Sequence, residues 1–561
     1  MILSGAEIVV ETLIEQGTKT VFGYPGGQVI NLYDALYEYR DRIEHILTAH
    51  EQGASHAADG YARASGEVGV VIATSGPGAT NLVTGLATAY LDSIPVVAIT
   101  GNVPNSLIGR DSFQEVDITG VTLPITKHNF LVKSVDKLAD TIREAFAIAK
   151  SGRPGPVLVD IPKDVQIAKF EYTACPVVEK KSQKLAKDEK LAIAVKMIAE
   201  AEKPYIYFGG GAVTANVSEE LCALADKIDA PIGCTMMGLS AVPVNHPRYL
   251  GMEGMHGHYA SSVAQDEADL IITIGARFSD RATGNVAKYA RRAKIIHIDA
   301  DGAELNKNVS VVLGMECDIK NALQRLLNLI PEKQHPDWNA RIAELKALES
   351  EQFERVTATD RITPYALIQE VAKHTDSDTP IVTDVGQHQM WVAQFYPFQN
   401  SRTFISSGGL GTMGFGLGAA IGSAKATGKK TILFTGDGSF GMNLNELATV
   451  TAENIPVVIV IMNNQVLGMV RQWQTLFFDK HYSNTDLHCR KTDFVKLADA
   501  FGMKGYKITE LADMPAVIEK AFAENAPVLI DVRIYQDEFV LPMLPPGGCI
   551  EDIITERNDI S

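Results

Sequence analysis

Cysteine is scarce in this chain, and none of it falls in a Cys-x-x-Cys pair: Cys175, Cys222, Cys234, Cys317, Cys489 and Cys549 stand far apart. That pattern suits neither a disulfide framework nor a zinc site, and fits reduced thiols. Positive charge is also in deficit. A net charge of −17 and an isoelectric point near 5.3 argue against nucleic acid or an anionic membrane as partner. Any phosphate site must therefore be local, built from backbone and metal. No apolar run approaches the ~18 residues of a membrane span. The N-terminus, with Glu7 and Glu11 among its apolar residues, has no basic-then-apolar leader. These absences predict a soluble, cytoplasmic protein. What the chain does have is length and apolar content: 561 residues, 46% of them hydrophobic, enough for roughly three domains.

The pattern of runs divides the chain. A first block, 1–170, carries apolar runs at 68–72, 95–99 and 156–159 and a helix over 5–16, with Ser4 as cap and Glu7 at the capping-box position. A polar, lysine-rich linker, 171–190, follows. The second block, 191–345, has strands at 204–208, 270–274 and 294–298 and a Glu/Ala/Leu-rich helix leading out of it over 340–356. The third, 362–535, has strands at 380–383, 431–434, 456–461 and 527–532. Strand and helix alternate in all three, which predicts an α/β fold of three doubly wound parallel-sheet domains. The Pro/Gly-rich tail, 536–561, reads as irregular, either a lid or an inert end.

The densest chemical signal lies in the third block. Gly436-Asp437-Gly438 follows one apolar run and Asn463-Asn464 follows the next, with Leu444, Leu447 and Ala448 at helical spacing between them. Strand, turn, helix, strand, turn sets Asp437 and the asparagines side by side at the carboxyl ends of neighbouring parallel strands, where open α/β sheets bind ligands. The glycines admit backbone N–H groups to an anion. One carboxylate with an amide carbonyl is how proteins hold magnesium whose other ligands are phosphates. Alone, the Gly-Asp-Gly turn equally suits an aspartate that caps a helix; with the spaced asparagines it points to a magnesium–diphosphate site. Ala49-His50-Glu51-Gln52-Gly53-Ala54 puts a glutamate at a helix start, which by itself reads as a residue favoured by the helix dipole. Three loops, Gly23-Tyr24-Pro25-Gly26-Gly27, Ser75-Gly76-Pro77-Gly78-Ala79 and Ser407-Gly408-Gly409-Leu410-Gly411-Thr412-Met413-Gly414, stand where strands hand over to helices. They are turns, or together the bed of a large ligand approached by backbone.

The Gly436-to-Asn464 segment resembles the thiamine-diphosphate motif. The Glu51 segment resembles the glutamate that, in those enzymes, hydrogen-bonds the aminopyrimidine ring and activates the cofactor. Over nearly its whole length the chain is similar to the catalytic large subunits of acetohydroxyacid synthase, also called acetolactate synthase. The likeness is carried by Phe22-Gly23-Tyr24-Pro25-Gly26-Gly27, Ser112-Phe113-Gln114-Glu115, Lys127-His128, Ser151-Gly152-Arg153-Pro154-Gly155-Pro156, Gly251-Met252-Glu253-Gly254-Met255-His256-Gly257, Gly275-Ala276-Arg277-Phe278-Ser279-Asp280-Arg281, Asp384-Val385-Gly386-Gln387-His388-Gln389-Met390-Trp391 and Leu467-Gly468-Met469-Val470-Arg471-Gln472-Trp473.

The resemblance implies a transferase that decarboxylates pyruvate and condenses the two-carbon unit with pyruvate or 2-ketobutyrate. The products would be 2-acetolactate or 2-aceto-2-hydroxybutyrate, in the first common step of isoleucine, valine and leucine biosynthesis. It implies thiamine diphosphate, Mg2+ and FAD as cofactors. Glu51, Gln114 and Lys163 would be catalytic. Tyr24, Pro25, Gly26, Gln387, His388, Gly411, Met413, Gly436, Gly438, Ser439, Leu467, Gly468 and Met469 would bind thiamine diphosphate, with Val385 supporting its bent form. Asp437, Asn464 and the Val466 carbonyl would hold the metal. Arg153, Gly209, Gly210, Gly211, Met255, His256, Gly257, Gly275, Ala276, Arg277, Arg281, Asp299 and Asp318 would form a flavin site, structural because the reaction moves no net electrons. Phe113, Met252, Arg277 and Trp473 would meet substrate. Without the resemblance, Gly209-Gly210-Gly211 is a weak phosphate-loop signal, Arg277 suits a surface ion pair and Trp473 a core aromatic.

Since Glu51 and Asp437 lie in different blocks, the family pattern implies a site between two subunits of a homodimer or dimer of dimers, and a separate small regulatory subunit. Ser279 stands where the family usually has a second aspartate, and Gly418 where it has proline. Another thiamine-diphosphate enzyme, such as a pyruvate oxidase, glyoxylate carboligase or acyl-CoA lyase, and a non-catalytic cofactor-binding paralogue are the rival readings. Phe113, Arg277 and Trp473 favour the synthase over them, and Glu51 disfavours the carboligase, which lacks that glutamate. An indole that packs on the acceptor's extra methyl is worth about 1–3 kcal/mol. Trp473→Leu is therefore expected to weaken the preference for 2-ketobutyrate about tenfold or more while acetolactate formation falls much less. Competition assays with both acceptors measure this, and equal losses with the two would count against the pocket role.

Overall fold

The computed structural model of the chain describes residues 1–175, 184–357 and 359–556. The centre of the expected linker, 176–183, and the last residues of the tail, 557–561, lie outside the described residues. Three six-stranded sheets carry the rest. In spatial order the first sheet runs Glu44–Leu47, Thr20–Gly23, Gly69–Ala73, Val96–Asn102, Val157–Pro162, His128–Leu131. The middle sheet runs Tyr249–Met252, Ile232–Cys234, Pro204–Phe208, Leu270–Ile274, Lys294–Asp299, Leu313–Glu316. The third runs Phe404–Ile405, Ile381–Thr383, Thr431–Gly436, Val457–Asn463, Val528–Arg533, Lys504–Ile508. Every pairing within these sheets is parallel. A small antiparallel pair, Ile2–Ser4 with Lys169–Glu171, closes the first block on itself.

Numbered along the chain within each sheet, the first and third share the order 2-1-3-4-6-5, whereas the middle sheet has 3-2-1-4-5-6, the classical doubly wound order of dinucleotide-binding sheets. Parallel sheets covered on both faces need strands apolar on both sides. Val70, Val71 and Ile72, and Ile459, Val460 and Ile461, meet that requirement, each wholly buried. The capping box at Ser4 and Glu7 forms as expected at the start of helix Gly5–Glu15. Residues 443–453 do turn helically between the two central strands, as a 3-10 turn, Leu444–Glu446, running into helix Leu447–Ala452. Among the described residues no helix is long and apolar enough to cross a membrane.

One contact between helices sets the first and third sheets against each other. Helix Glu51–Ser65 lies on helix Phe415–Thr427, whose residues from Phe415 to Ala424 are all buried. Their backbones nearly touch. A Cβ on Gly60 would stand 2.6 Å from Ala419 Cα, one on Gly418 2.7 Å from the Gly53 carbonyl oxygen, and one on Gly422 would overlap the Ala57 carbonyl oxygen. Gly418, where the family pattern has proline, is thus a packing position in this chain. Both ends of helix Glu51–Ser65 are tied across the contact. At its start, buried Glu446 accepts the Ala49 and His50 N–H groups at 3.1 and 3.0 Å. Near its end, buried Arg63 pairs with Asp59 and, at 2.9 Å, with Asp92, and donates to the Ser406 carbonyl at 2.7 Å. Asp92 in turn accepts the Gly408 and Gly409 N–H groups. Adding one methyl to such a contact costs about 1–3 kcal/mol. Gly422→Ala should lower the denaturant midpoint accordingly, and an unchanged midpoint would show that the two helices can part without cost.

Candidate functional site

In each sheet the strand order turns back at the chain-first strand, a switch point where open α/β sheets bind ligands, and the expected site residues lie along the carboxyl-end edges that contain it. In the third sheet, Gly436 pairs with Met462 across the two central strands, which puts Asp437 beside Asn463 and Asn464. Asp437 opens the short helix Asp437–Phe440. Its Oδ1 is buried with no hydrogen-bond partner, and burial pushes the carboxyl up to about 6. A dry, unpaired carboxylate is costly unless a cation meets it. The two asparagines have separate roles. Asn463 Nδ2 donates to Asp531 Oδ1 at 2.8 Å and stitches neighbouring strands together. Asn464 instead turns towards Gln387, Nδ2 to Oε1 at 3.4 Å, while its Oδ1 takes the Val466 N–H at 3.1 Å.

On the other side of the switch, His388 is buried with Nε2 unpartnered, and burial pushes its imidazole down to about 3, so it is neutral. Buried Asp384 Oδ1 accepts from Ser439 Oγ and from the Val385 and Gly414 N–H groups, each at 2.8 Å. One carboxylate thereby fixes all three loops of this edge. A Cβ on Gly438 would stand 2.7 Å from Leu467, and one on Gly468 would overlap Gln387 Oε1. Among the described residues no three His, Cys, Asp or Glu are grouped to hold a metal. One carboxylate with amide and carbonyl oxygens holds magnesium only beside a ligand that brings oxygens of its own, as a diphosphate does. The residues fit that group.

The edge of the first sheet holds a second group. Glu51 heads its helix, and its Oε2 accepts from Asn81 Nδ2 at 2.9 Å. Gly78 leaves little room beside it: a Cβ there would stand 2.7 Å from the Thr74 side chain and 3.1 Å from Glu51 Oε1. Gly76, at φ +59°, leaves 3.0 Å between such a Cβ and Gln114 Cα. A Cβ on Gly26 would press on Thr74, and Lys163 Nζ donates to the Gly27 carbonyl at 3.1 Å. Tyr24, Pro25, Gly26, Glu51, Gln114 and Lys163 therefore share one rim. Phe113 projects from it, 84% exposed. No hydrogen bond or ion pair among the described residues joins this rim to the Asp437 group.

A cleft of about 1520 Å³ opens at the switch point of the middle sheet and runs on to the third. Gly209 N donates to the Ile274 carbonyl and Gly211 N to the Gly275 carbonyl, and a Cβ on Gly211 would stand 2.7 Å from Gly275 Cα. Gly210, Gly211, Gly275, Arg153, Arg277, Arg281, Asp299, Asp318, Met252, Met255 and His256 line the cleft, and so do Val385, Gly411, Met413, Met469 and Trp473. Gly209, Ala276 and Gly257 stand behind this lining; a Cβ on Gly209 would meet Ala276 Cα at 2.7 Å. A single pocket ordinarily holds about 300–1000 Å³, so the cleft has room for two ligands, and three guanidinium groups beside a glycine turn suit a dinucleotide diphosphate. Arg277 has no ion-pair partner among the described residues. Trp473 is half-buried, not a core residue, with the Arg281 guanidinium 5.9 Å from its ring centre.

The sequence reading missed Asp92, Met236, Met237 and Glu304 on this cleft. Glu304 pairs with Arg153 at 2.7 Å, a cross-domain bond with no local signal; Met236-Met237 after a short strand was the one readable hint. The tail is neither free nor inert. Leu544 N donates to the Met255 carbonyl at 2.8 Å, Asn285 N to the Gly548 carbonyl at 3.0 Å, and Gln472 exchanges hydrogen bonds with Val540 at 2.9 and 3.0 Å. It straps the helix that bears Trp473 to the cleft wall.

Models of the thiamine pyrophosphate enzymes match the chain in three places: the N-terminal TPP binding domain over residues 3–121, the central domain over 191–326 and the C-terminal TPP binding domain over 384–532. The chain is 46% identical to the probable acetolactate synthase large subunit of Methanocaldococcus jannaschii, over 98% of this chain and 95% of that protein. It is 46% identical to the acetolactate synthase isozyme 2 large subunit of Escherichia coli, over 98% and 99%, and 43% identical to the acetolactate synthase large subunit of Haemophilus influenzae, over 99% and 98%.

An acid whose folded pKa is raised binds its proton in the folded state before the unfolded chain does. Ligand-free protein therefore loses stability as pH rises from about 4, the usual value, to about 6. Asp437→Asn should remove that loss, leaving the ligand-free melting temperature equal or higher at pH 7, and should abolish magnesium-dependent diphosphate binding. Thermal melts with calorimetric titration check both, and a lower melting temperature with binding retained would refute the assignment.

Proposed function

This chain belongs to the thiamine pyrophosphate enzymes, and from that membership we propose that it is an acetolactate synthase large subunit, which takes carbon dioxide from pyruvate and joins the remaining two-carbon unit to pyruvate or 2-ketobutyrate. The products are 2-acetolactate or 2-aceto-2-hydroxybutyrate, precursors of branched-chain amino acids. The observation that carries this reading is the buried Asp437 carboxyl beside Asn464, its Oδ1 without a partner, on the sheet edge that also bears Val385, which lines the cleft with Arg277 and Trp473. Thiamine diphosphate, when bound, supplies the electron sink for the carbon that loses carbon dioxide.

Asp437, Asn464 and the Val466 carbonyl would hold magnesium beside the diphosphate, and Gln387, neutral His388, Gly438 and Ser439 would contact the diphosphate. Gly411, Met413 and Val385 would seat thiamine diphosphate, and Tyr24, Pro25 and Gly26 would bind it from the first domain. Glu51, fixed by Asn81, would hold or release a proton at its carboxyl toward the cofactor's aminopyrimidine ring; Gln114 and Lys163 complete the polar rim. Arg277 takes the acceptor's carboxylate in a two-point hydrogen bond, and Trp473, Met252 and Phe113 pack on its alkyl end. Residues 1–170 and 362–535 thus serve the two ends of thiamine diphosphate. Residues 191–345 would hold FAD at the glycine turn 209–211, with Arg153, Asp299 and Asp318. Because the reaction moves no net electrons, that flavin is structural.

Within one chain no hydrogen bond or ion pair among the described residues joins the Glu51 rim to the Asp437 edge, and Phe113 is bare, 84% exposed. Each complete site is therefore assigned to two copies of the chain. The relatives are each named a large subunit, which supports a separate small subunit. Six free cysteines and the acidic surface fit the cytoplasm.

Acetolactate formed from pyruvate with thiamine diphosphate, magnesium and FAD, and diverted by 2-ketobutyrate, is the expected outcome. Glu51→Gln should cost about 10²–10⁴-fold in kcat/KM, the range for a positioned proton-transfer group. Acetate with oxygen uptake would move the chain to the oxidases, and full activity in the variant would remove Glu51 from the chemistry.

A further inference from the structure

The wall of the cleft hides a polar cage that the chemistry above does not use. One face of the middle sheet is aliphatic, with Ile206, Phe208, Ile272, Ile274, Ile296 and Ile298 in a single core. The other sets Tyr207, Thr273 and His297 side by side on three adjacent strands, all fully buried, with Tyr205 one turn of the pleat away. Glu253, from the cleft loop 252–257, is 6% exposed and reaches into this face. Tyr289 Oη donates to its Oε1 at 3.2 Å, and the Tyr205 and Tyr207 hydroxyls flank the carboxyl. Its Oε2, Tyr207 Oη, Thr273 Oγ1 and both His297 ring nitrogens are buried without a hydrogen-bond partner.

The titratable groups that act on this carboxyl are Tyr205 and Tyr207 from the central strand, Tyr289 from the segment after Gly284, and Cys234 from the neighbouring strand. His297 is turned edge-on to Phe278, at 5.3 Å between ring centres, and Phe278 separates it from Tyr289. No lysine or arginine is among the groups acting on Glu253. A carboxylate would be uncompensated here, whereas a carboxylic acid satisfies and is satisfied by the phenols.

The loop that Glu253 anchors matters to the cleft. Met252, Glu253 itself, Met255 and His256 line it. Met255 N donates to the Arg281 carbonyl and Met255 O accepts from Leu544 N, each at 2.8 Å, so the loop also carries Arg281, the tail and, through them, the surroundings of Trp473.

We propose that Glu253 is a positioning residue: as a carboxylic acid it keeps its hydrogen bond with Tyr289 among the phenols of Tyr205 and Tyr207 and holds loop 252–257 on the sheet, in the shape that grips a flavin dinucleotide. This rests on the flavin reading of the cleft. Burial pushes Glu253 up to about 8, so the acid form prevails at neutral pH and is lost in mild alkali. If only that form is binding-competent, the apparent dissociation constant scales with the inverse of its population and rises about tenfold between pH 7 and pH 9.

The test uses full-length protein stripped of flavin and titrated with FAD, followed by flavin fluorescence, with circular dichroism and melting temperature as controls of folding. Wild type should bind FAD about tenfold more weakly at pH 9 than at pH 7. Glu253→Gln, which keeps the hydrogen bonds and cannot ionise, should bind as wild type does at pH 7 and show no such pH dependence. Glu253→Leu, folded, should bind weakly at both. Equal wild-type affinity at pH 7 and pH 9, or a glutamine variant that follows the wild-type pH profile, overturns the proposal and leaves the flavin site standing. Wild type that makes acetolactate yet binds no FAD at either pH overturns the flavin reading and this proposal together.

Discussion

The backbone contact between helices Glu51–Ser65 and Phe415–Thr427 is the constraint on which the arrangement of the site depends. Gly60, Gly418 and Gly422 let two helices approach until a methyl would collide with a carbonyl, and Glu446 and Arg63 pin the two ends of one helix to the other side. Burying Arg63 with two aspartates is expensive unless every charge is met; here Asp59, Asp92 and the Ser406 carbonyl meet it, and the Gly408 and Gly409 N–H groups take up what remains of Asp92. The residue that heads the pinned helix is Glu51. Its position is therefore determined by the third sheet, far along the chain, as much as by its own.

The same economy recurs at the three switch points. Each edge uses glycines to bring backbone close and a single buried carboxyl to organise its loops: Asp384 binds three donors on the third sheet, Glu446 caps the helix at the first, and Glu253 lies under the loop of the middle one. Asp437 differs from Asp384 and Glu446 in that its Oδ1 has no partner, and Glu253 Oε2 shares that condition. Carboxyls that build loops are met by the donors around them, whereas the open oxygens of Asp437 and Glu253 call for a cation or a proton.

The tail and the cleft are coupled by ordinary hydrogen bonds. Gln472 bonds both Gln387 and Val540, so the Gln387 loop, the helix bearing Trp473 and the tail are joined through one neutral amide. Neither partner of that amide carries a charge, so the connection does not depend on pH or salt.

Much of this was legible in the residues. Runs of β-branched and aliphatic residues such as 456–461 can only be strands buried on both faces, Ser4 and Glu7 announce a helix start within their own span, and Gly436-Asp437-Gly438 with Asn463-Asn464 fixes two neighbouring turns because parallel pairing leaves one geometry for that spacing. Short or edge strands such as Phe404–Ile405 and Lys504–Ile508 carried less signal, since an edge buries less and needs a weaker pattern. What depends on residues distant in sequence had no local trace: Glu304 meeting Arg153, Glu446 capping the Glu51 helix, Asn463 serving a strand while Asn464 serves the site, and three tyrosines closing on Glu253. By itself the sequence determined which segments form strands and which turns hold chemistry, because periodicity and turn residues act over a few positions. The tertiary structure decided which carboxyls are satisfied and which remain open, because burial and hydrogen-bond partners are set only when the sheets pack.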